Sequence, residues 1–186
     1  DDGQQWLFIL SSQGRTGSTT ILGMVNSIPG YFLAGENEGI MADILDLEHK
    51  VWHLDRRHSI AYHHGQRSEQ EVACAFKNFT RAFIGWPGFR PTTTGFKEIR
   101  HTKKEELDAF LHIFPNAKFI INTRNITEQA QSAWFRNQTD DEKQLAQRKQ
   151  DLMHWGRKHS DRSFYLPLED FSVARFNEML VWLGVE

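Results

Sequence analysis

Cysteine is almost missing from this chain: Cys74 is the only one in 186 residues. A single thiol excludes an internal disulfide and any zinc site built on cysteine pairs. No apolar run approaches the roughly 20 residues that span a bilayer, and the N-terminus shows no signal-peptide pattern. Charge of one sign is also lacking. Net charge is −2, from 22 Lys+Arg against 24 Asp+Glu, so no overall basic field points to nucleic acid. One local absence is sharper, because no lysine precedes Lys50. The ATP-cradling loop Gly, four residues, Gly-Lys-Ser/Thr therefore cannot occur in that stretch.

What stands there instead is Trp6-Leu-Phe-Ile-Leu10, then Ser11-Ser-Gln-Gly-Arg-Thr-Gly-Ser-Thr-Thr20, then Ile21-Leu-Gly-Met-Val25. An apolar run, a stretch of small hydroxylated residues and an apolar run at helical spacing predict strand, tight loop and helix. Gly14 and Gly17 allow sharp turns and close approach of backbone N–H groups to a ligand. Ser18, Thr19 and Thr20 add hydroxyls at the positive end of the new helix. Together they form a cradle for phosphate or sulfate. The plainer alternative is a Ser/Thr-capped helix after an edge strand.

The same alternation continues. Strands are expected at Tyr31–Gly35, Thr92–Ile99, Ala117–Thr123 and Ser163–Leu168. Helices are expected at Gly39–Lys50, Ser68–Ile84, Lys103–Phe114, Ile126–Arg136, from Thr139 to about His159, and Val173–Leu183. Ser68 and Glu71 fit a capping box. Cys74 falls in the apolar pattern of its helix and reads as a core thiol. His58, His63 and His64 read as a solvated loop, and His49 and His53 lack an obvious third ligand, so no metal site is expected. The reading is one α/β domain over 1–186, with a central parallel sheet of about five strands flanked by helices.

Three separated blocks resemble sulfotransferases that use 3′-phosphoadenosine-5′-phosphosulfate (PAPS). Ser11-Ser-Gln-Gly-Arg-Thr-Gly-Ser-Thr19 is similar to their 5′-phosphosulfate loop, nearer the carbohydrate and bacterial variety than the cytosolic one. Phe114-Pro-Asn-Ala-Lys-Phe-Ile-Ile-Asn-Thr-Arg-Asn125, with Ser132 eight positions after Arg124, resembles their 3′-phosphate clamp. Leu168-Glu-Asp-Phe171 resembles a Tyr-Glu-Asp-Leu block, and Gly95-Phe-Lys97 also recurs in relatives.

The resemblance implies a P-loop NTPase-like sulfotransferase fold and in-line transfer of a sulfonyl group from PAPS to an acceptor, a saccharide hydroxyl before a small molecule. PAP, adenosine 3′,5′-bisphosphate, is the product. It implies Gly14, Arg15, Thr16, Gly17, Ser18, Thr19, Thr20, Arg124 and Ser132 as cofactor-binding residues, with Arg15 and Lys97 supporting charge on the bridging oxygen. The histidine base of cytosolic relatives is missing after Lys97. A carboxylate after the second strand takes its place, Glu36 first, Glu38 next, with His101 as an outside candidate. Each has a plainer role: Arg124 as an ion pair with Glu128, Ser132 as a neutral helix serine, Glu36 bound to a basic neighbour, Glu38 as a helix cap.

Leu168 stands where the family's tyrosine would contact adenine. No basic C-terminal segment is evident after Asp170, which puts the acceptor site largely in Asp43 to Arg90. Trp52, Tyr62, Trp86 and Phe89 read there as core before platform. Asn78, Asn125 and Asn137 head glycosylation sequons. A glycan on Asn125 would block the clamp, which favours a cytoplasmic (bacterial, viral or cytosolic) setting over a Golgi lumen. The alternatives are a nucleotide-dependent phosphotransferase using ATP and Mg²⁺, and a sulfotransferase-like protein that binds without turnover.

Overall fold

The computed structural model describes residues 3–57, 68–85, 87–100, 103–132 and 142–185. Its strands are β1 Gln5–Ser11, β2 Tyr31–Ala34, β3 Thr93–Glu98, β4 Lys118–Asn122 and β5 Ser163–Tyr165. All pair in parallel, in the order β2-β3-β1-β4-β5. The helices are α1 Ser18–Asn26, α2 Ile40–Arg57, α3 Glu69–Ile84, α4 Lys104–Ile113, α5 Ile126–Ala130, α6 Glu142–Lys158 and α7 Val173–Leu183. This is the α/β architecture that the alternating pattern predicts.

β1 explains the layering. Its residues Trp6 to Leu10 are all buried, as expected of a central strand covered on both faces. Side chains alternate across a strand, so Trp6, Phe8 and Leu10 join a core with residues of α2, α4 and α6. Leu7 and Ile9 join the opposite core, with Ile21 and Val25 of α1 and Phe176, Met179 and Leu183 of α7. The Phe8 ring lies 4.9, 5.0, 5.1 and 5.7 Å from those of Phe96, Phe110, Phe114 and Phe119. Such aromatic pairs each add about 1 kcal/mol beyond the area they bury. Gly95 lies opposite Leu7, and a Cβ there would come within 1.8 Å of the Leu7 carbonyl oxygen. Only glycine lets β3 close on β1 at that register, two residues before Lys97.

The strand order fixes where a ligand belongs. From β1 the chain passes over β3 to β2, returns through β3, then crosses to β4 on the other side. Connections therefore diverge between β1 and β4, and the crevice beyond their C-terminal ends is the binding position of such sheets. A hollow at the opposite edge, lined by Ile28, Tyr31, Thr92 and Leu183 among others, has no Asp, Glu, Lys, Arg or His in its wall.

Several expectations change. Cys74 is exposed, not in the core. Val72, Phe76 and Thr80 face inward, and Cys74 lies two residues, about 200° of helical rotation, from each of the first two. The capping box at Ser68 is present, with Glu71 N–H donating to Ser68 Oγ at 3.1 Å and Ser68 N–H to Glu71 Oε2 at 2.9 Å. β5 stops at Tyr165 instead of Leu168, although Leu166 and Leu168 N–H still donate to Ile121 O and Thr123 O, each at 2.9 Å. α5 ends at Ala130, so Ser132 lies in the turn after the helix rather than within it. There the bonding tightens, Gln131 N–H reaching Gln129 O and Ser132 N–H also reaching Gln129 O. Phe89 is 46% exposed and is not core. Tyr62, Trp86, Asn137, His58, His63, His64 and His101 lie outside the described residues, as do the side chains of His49, Trp52 and His53. No group of three His, Cys, Asp or Glu side chains able to hold a metal occurs among the described residues.

Candidate active site

The loop after β1 starts with Ser12 N–H donating to Asn122 O at 3.2 Å and is then held through four successive carbonyls. Thr16 Oγ1 donates to Gln13 O at 3.4 Å, and Gln129 Nε2 to Gly14 O at 2.6 Å. Arg124 Nη1 donates to Arg15 O at 3.2 Å and Asn122 Nδ2 to Thr16 O at 3.0 Å. Asn122 is itself fixed, donating also to Leu166 O at 2.8 Å and accepting from Ser11 Oγ at 3.1 Å. With four successive carbonyls tied down, the N–H groups that follow are left for something else. α1 opens on Gly17 with no side-chain cap and no acidic residue in its first turn. Its positive end is therefore available to an anion.

Two left-handed residues shape this loop, Arg15 at φ 66 and Gly17 at φ 81. A side chain at Gly17 would come within 2.7 Å of Leu168 Cδ1 and 3.0 Å of Phe171 Cε2. For Arg15 the left-handed conformation costs about 1–2 kcal/mol, a strain typical of functional loops. Thr16 and Ser18 are buried in the loop wall, while Arg15, Thr19 and Thr20 are exposed.

Arg124 stands two residues beyond β4, its side chain 24% exposed. Besides the bond to Arg15 O, its Nη2 lies 3.5 Å from Glu128 Oε2. So the plainer ion-pair role is present too, but with Glu128 59% exposed it contributes little. Arg124 Nε is buried with no partner among the described residues, and so are Ser132 Oγ, Ser12 Oγ and Gln129 Oε1. A buried polar atom without a partner costs about 1–3 kcal/mol. Four such atoms in or beside one loop concentrate unmet hydrogen-bonding capacity there. The third sequence block braces this region from below. Leu168 N–H donates to Thr123 O at 2.9 Å, Glu169 accepts from the Asn125 N–H, and Leu168 packs beneath Gly17.

The second corner lies past β2 and β3. Glu36, two residues after β2, is ion-paired to Lys97, whose side chain is 5% exposed. Arg100 Nη1 lies 3.7 Å from Glu36 Oε2, and its Nη2 lies 3.3 Å from Glu38 Oε2. Glu38 points outward with 83% of its side chain exposed, and it does not cap α2. Asn37 does so in its place, its Oδ1 accepting from Met41 N–H at 3.4 Å. The structure thus brings Glu36, from just beyond β2, together with Lys97 of β3, the strand that pairs with β1.

Two contributors escaped the sequence reading. Gln129, fully buried, fixes the Gly14 carbonyl from α5. Its signal was faint: a polar residue at an inward helical position between Arg124 and Ser132. Glu98, fully buried beside Lys97, is the other. An acidic residue ending a strand of the central sheet, directly after Lys97, was the available hint.

A family model described as the sulfotransferase family matches residues 7–171. The chain belongs to that family. The match takes in both corners, from β1 through the turn at Leu168–Asp170 that braces Gly17. No curated protein matches the chain.

Proposed function

We propose that this sulfotransferase-family domain, spanning 1–186, moves the sulfonyl group of PAPS to a hydroxyl of a saccharide or small molecule. The observation that carries the reading is the set of unpartnered buried atoms around the loop. Arg124 Nε and Ser132 Oγ are donors suited to a 3′-phosphate, and Ser12 Oγ and the open N-terminus of α1 to a 5′-phosphosulfate. When bound, PAPS supplies a sulfonyl group on a phosphate leaving group.

The residues then divide the work. The N–H groups from Gly14 onward, with the hydroxyls of Ser18, Thr19 and Thr20, hold the phosphosulfate. Arg124 and Ser132 hold the 3′-phosphate, and Thr16 and Gly17 keep the loop in shape. Glu36 takes the proton of the acceptor hydroxyl as its oxygen bonds to sulfur and the sulfur–oxygen bond to the 5′-phosphate breaks. Lys97 starts paired to Glu36. As charge builds on the departing oxygen, Lys97 and Arg15 are the cations placed to meet it. Release of Lys97 toward that oxygen frees Glu36 to accept the proton. These cations make transfer metal-independent in this reading.

We place the protein in a cytoplasmic setting. The reason is the position of Asn125, which heads a sequon next to Arg124, so that a glycan there would crowd the proposed phosphate clamp. A glycan on Asn125 of active protein would refute it. The activity test is transfer of ³⁵S from labelled PAPS to a panel of saccharides and phenols, without added metal. Labelled product that disappears in Glu36→Gln supports the reading. PAP binding with no transfer to any acceptor would identify a silent binding protein.

A further inference from the structure

Glu98 is fully buried although it is acidic and ends β3. Carboxylates seldom reach that depth without several partners. Its donors come from two sides. Oε2 accepts from the Asn37 backbone N–H at 3.1 Å. Oε1 accepts from Ile99 N–H at 2.8 Å and from Arg100 Nη1 at 3.1 Å. Asn37 is the residue between Glu36 and Glu38, and Arg100 is the guanidinium that reaches both of their carboxylates. One buried side chain therefore holds the loop by its backbone and steadies the cation lying across it. The loop needs such a hold, for Glu38 is left-handed at φ 56 and Asn37 Nδ2 is buried with no partner among the described residues.

Resting on the assignment of Glu36 as general base, we propose that Glu98 is a positioning residue. It fixes the Glu36–Glu38 loop and thereby the bearing of the Glu36 carboxylate on the acceptor. All three contacts are donors, so the side chain must accept at both oxygens. A glutamine has one acceptor oxygen, which goes to the two donors at Ile99 and Arg100, so its NH₂ faces the Asn37 N–H and breaks that arm. An aspartate keeps two acceptors but falls one methylene short.

The test compares the starting protein with Glu98→Gln, Glu98→Asp, Arg100→Gln and Glu36→Gln. Three quantities are read: amide hydrogen exchange at Asn37 by NMR, PAP affinity by calorimetry, and PAPS turnover with water as acceptor. In that turnover a water oxygen bonds to sulfur, the sulfur–oxygen bond to the 5′-phosphate breaks, and Glu36 takes the water proton. In Glu98→Gln, Asn37 exchange rises about tenfold, the loss of one hydrogen bond. Its kcat falls about 100-fold, with KM for PAPS and PAP affinity changed less than about twofold. Glu98→Asp recovers part of kcat. Unchanged Asn37 exchange, or unchanged kcat, in Glu98→Gln overturns the proposal.

Should Glu98→Gln fail to fold, Arg100→Gln removes the other arm from a side chain 39% exposed. Full turnover in that variant overturns the proposal as well. Full turnover in Glu36→Gln instead overturns the base assignment beneath it. Asn37 exchange separates the two failures, because it reads the anchor without any chemistry at Glu36.

Discussion

The two corners of the site solve opposite problems. Around the β1–β4 crevice, Ser12, Arg124, Gln129 and Ser132 each keep a buried polar atom without a partner among the described residues. Past β2 and β3, Glu36, Glu38, Glu98, Lys97 and Arg100 are already paired with one another. In the proposed reading an anion meets the donors of the first corner at Ser12, Arg124 and Ser132, whereas the Gln129 oxygen is an acceptor and needs a donor. In the second the charges are already paired, and in the proposed reading the Glu36–Lys97 pair opens for chemistry. A cofactor that stays bound through the reaction suits the former, and a proton acceptor held in check until the acceptor arrives suits the latter.

Mutations that separate binding from turnover break or sharpen this contrast. The largest effect belongs to Glu36→Gln, with kcat reduced about 10²- to 10⁴-fold and PAP affinity nearly unchanged, read by single-turnover kinetics beside calorimetry. Arg124→Ala does the reverse. It weakens PAP binding about 100-fold, as expected for loss of charged hydrogen bonds to phosphate, measured by calorimetry at fixed salt. Gly17→Ala comes next. Its left-handed backbone and the contact with Leu168 predict a stability loss of roughly 1–2 kcal/mol in denaturant titration, and weaker PAP binding with it.

The smallest effect lies away from both corners, where α4 meets α6. Burial, and then Lys158, hold the His159 imidazole below its usual 6.5. Asp108 feels burial pushing its value up, but hydrogen bonds from Lys104 and Trp155 outweigh it and leave the carboxyl below 3.8. Both folded values lie below the unfolded ones, so the unfolded chain binds protons first on acidification. Stability is full above about pH 6.5 and falls as pH drops toward the folded value of His159, with a further fall below pH 4 from Asp108. Denaturant midpoints measured from pH 8 to 3 check this. His159→Gln flattens the upper part of that curve and leaves PAP affinity untouched.

Much of the fold was legible because its signals are local. The doubly buried β1, the Ser68–Glu71 box and the bounds of α7 follow from runs, caps and periodicity within a few residues. The anion loop was legible because its glycines and hydroxyls sit next to one another. What stayed hidden depends on contacts across the chain. Gln129 matters only because α5 passes beneath Gly14, and Glu98 only because the loop at Asn37 folds over the end of β3. Leu168 read as a lost adenine contact, yet it lies under Gly17, a position set by the register of β5 beside β4. Cys74 was misplaced because one polar-to-apolar pattern on α3 admits two faces until Phe76 and Thr80 choose between them.

Titration calorimetry with adenosine 3′,5′-bisphosphate, in buffer free of divalent metal, on the starting protein and on Arg124→Ala, tests the account most directly. Micromolar or tighter binding that Arg124→Ala weakens about 100-fold is the predicted result. Absence of binding, or binding that ignores Arg124→Ala, would contradict the reading of the β1–β4 crevice as the nucleotide site.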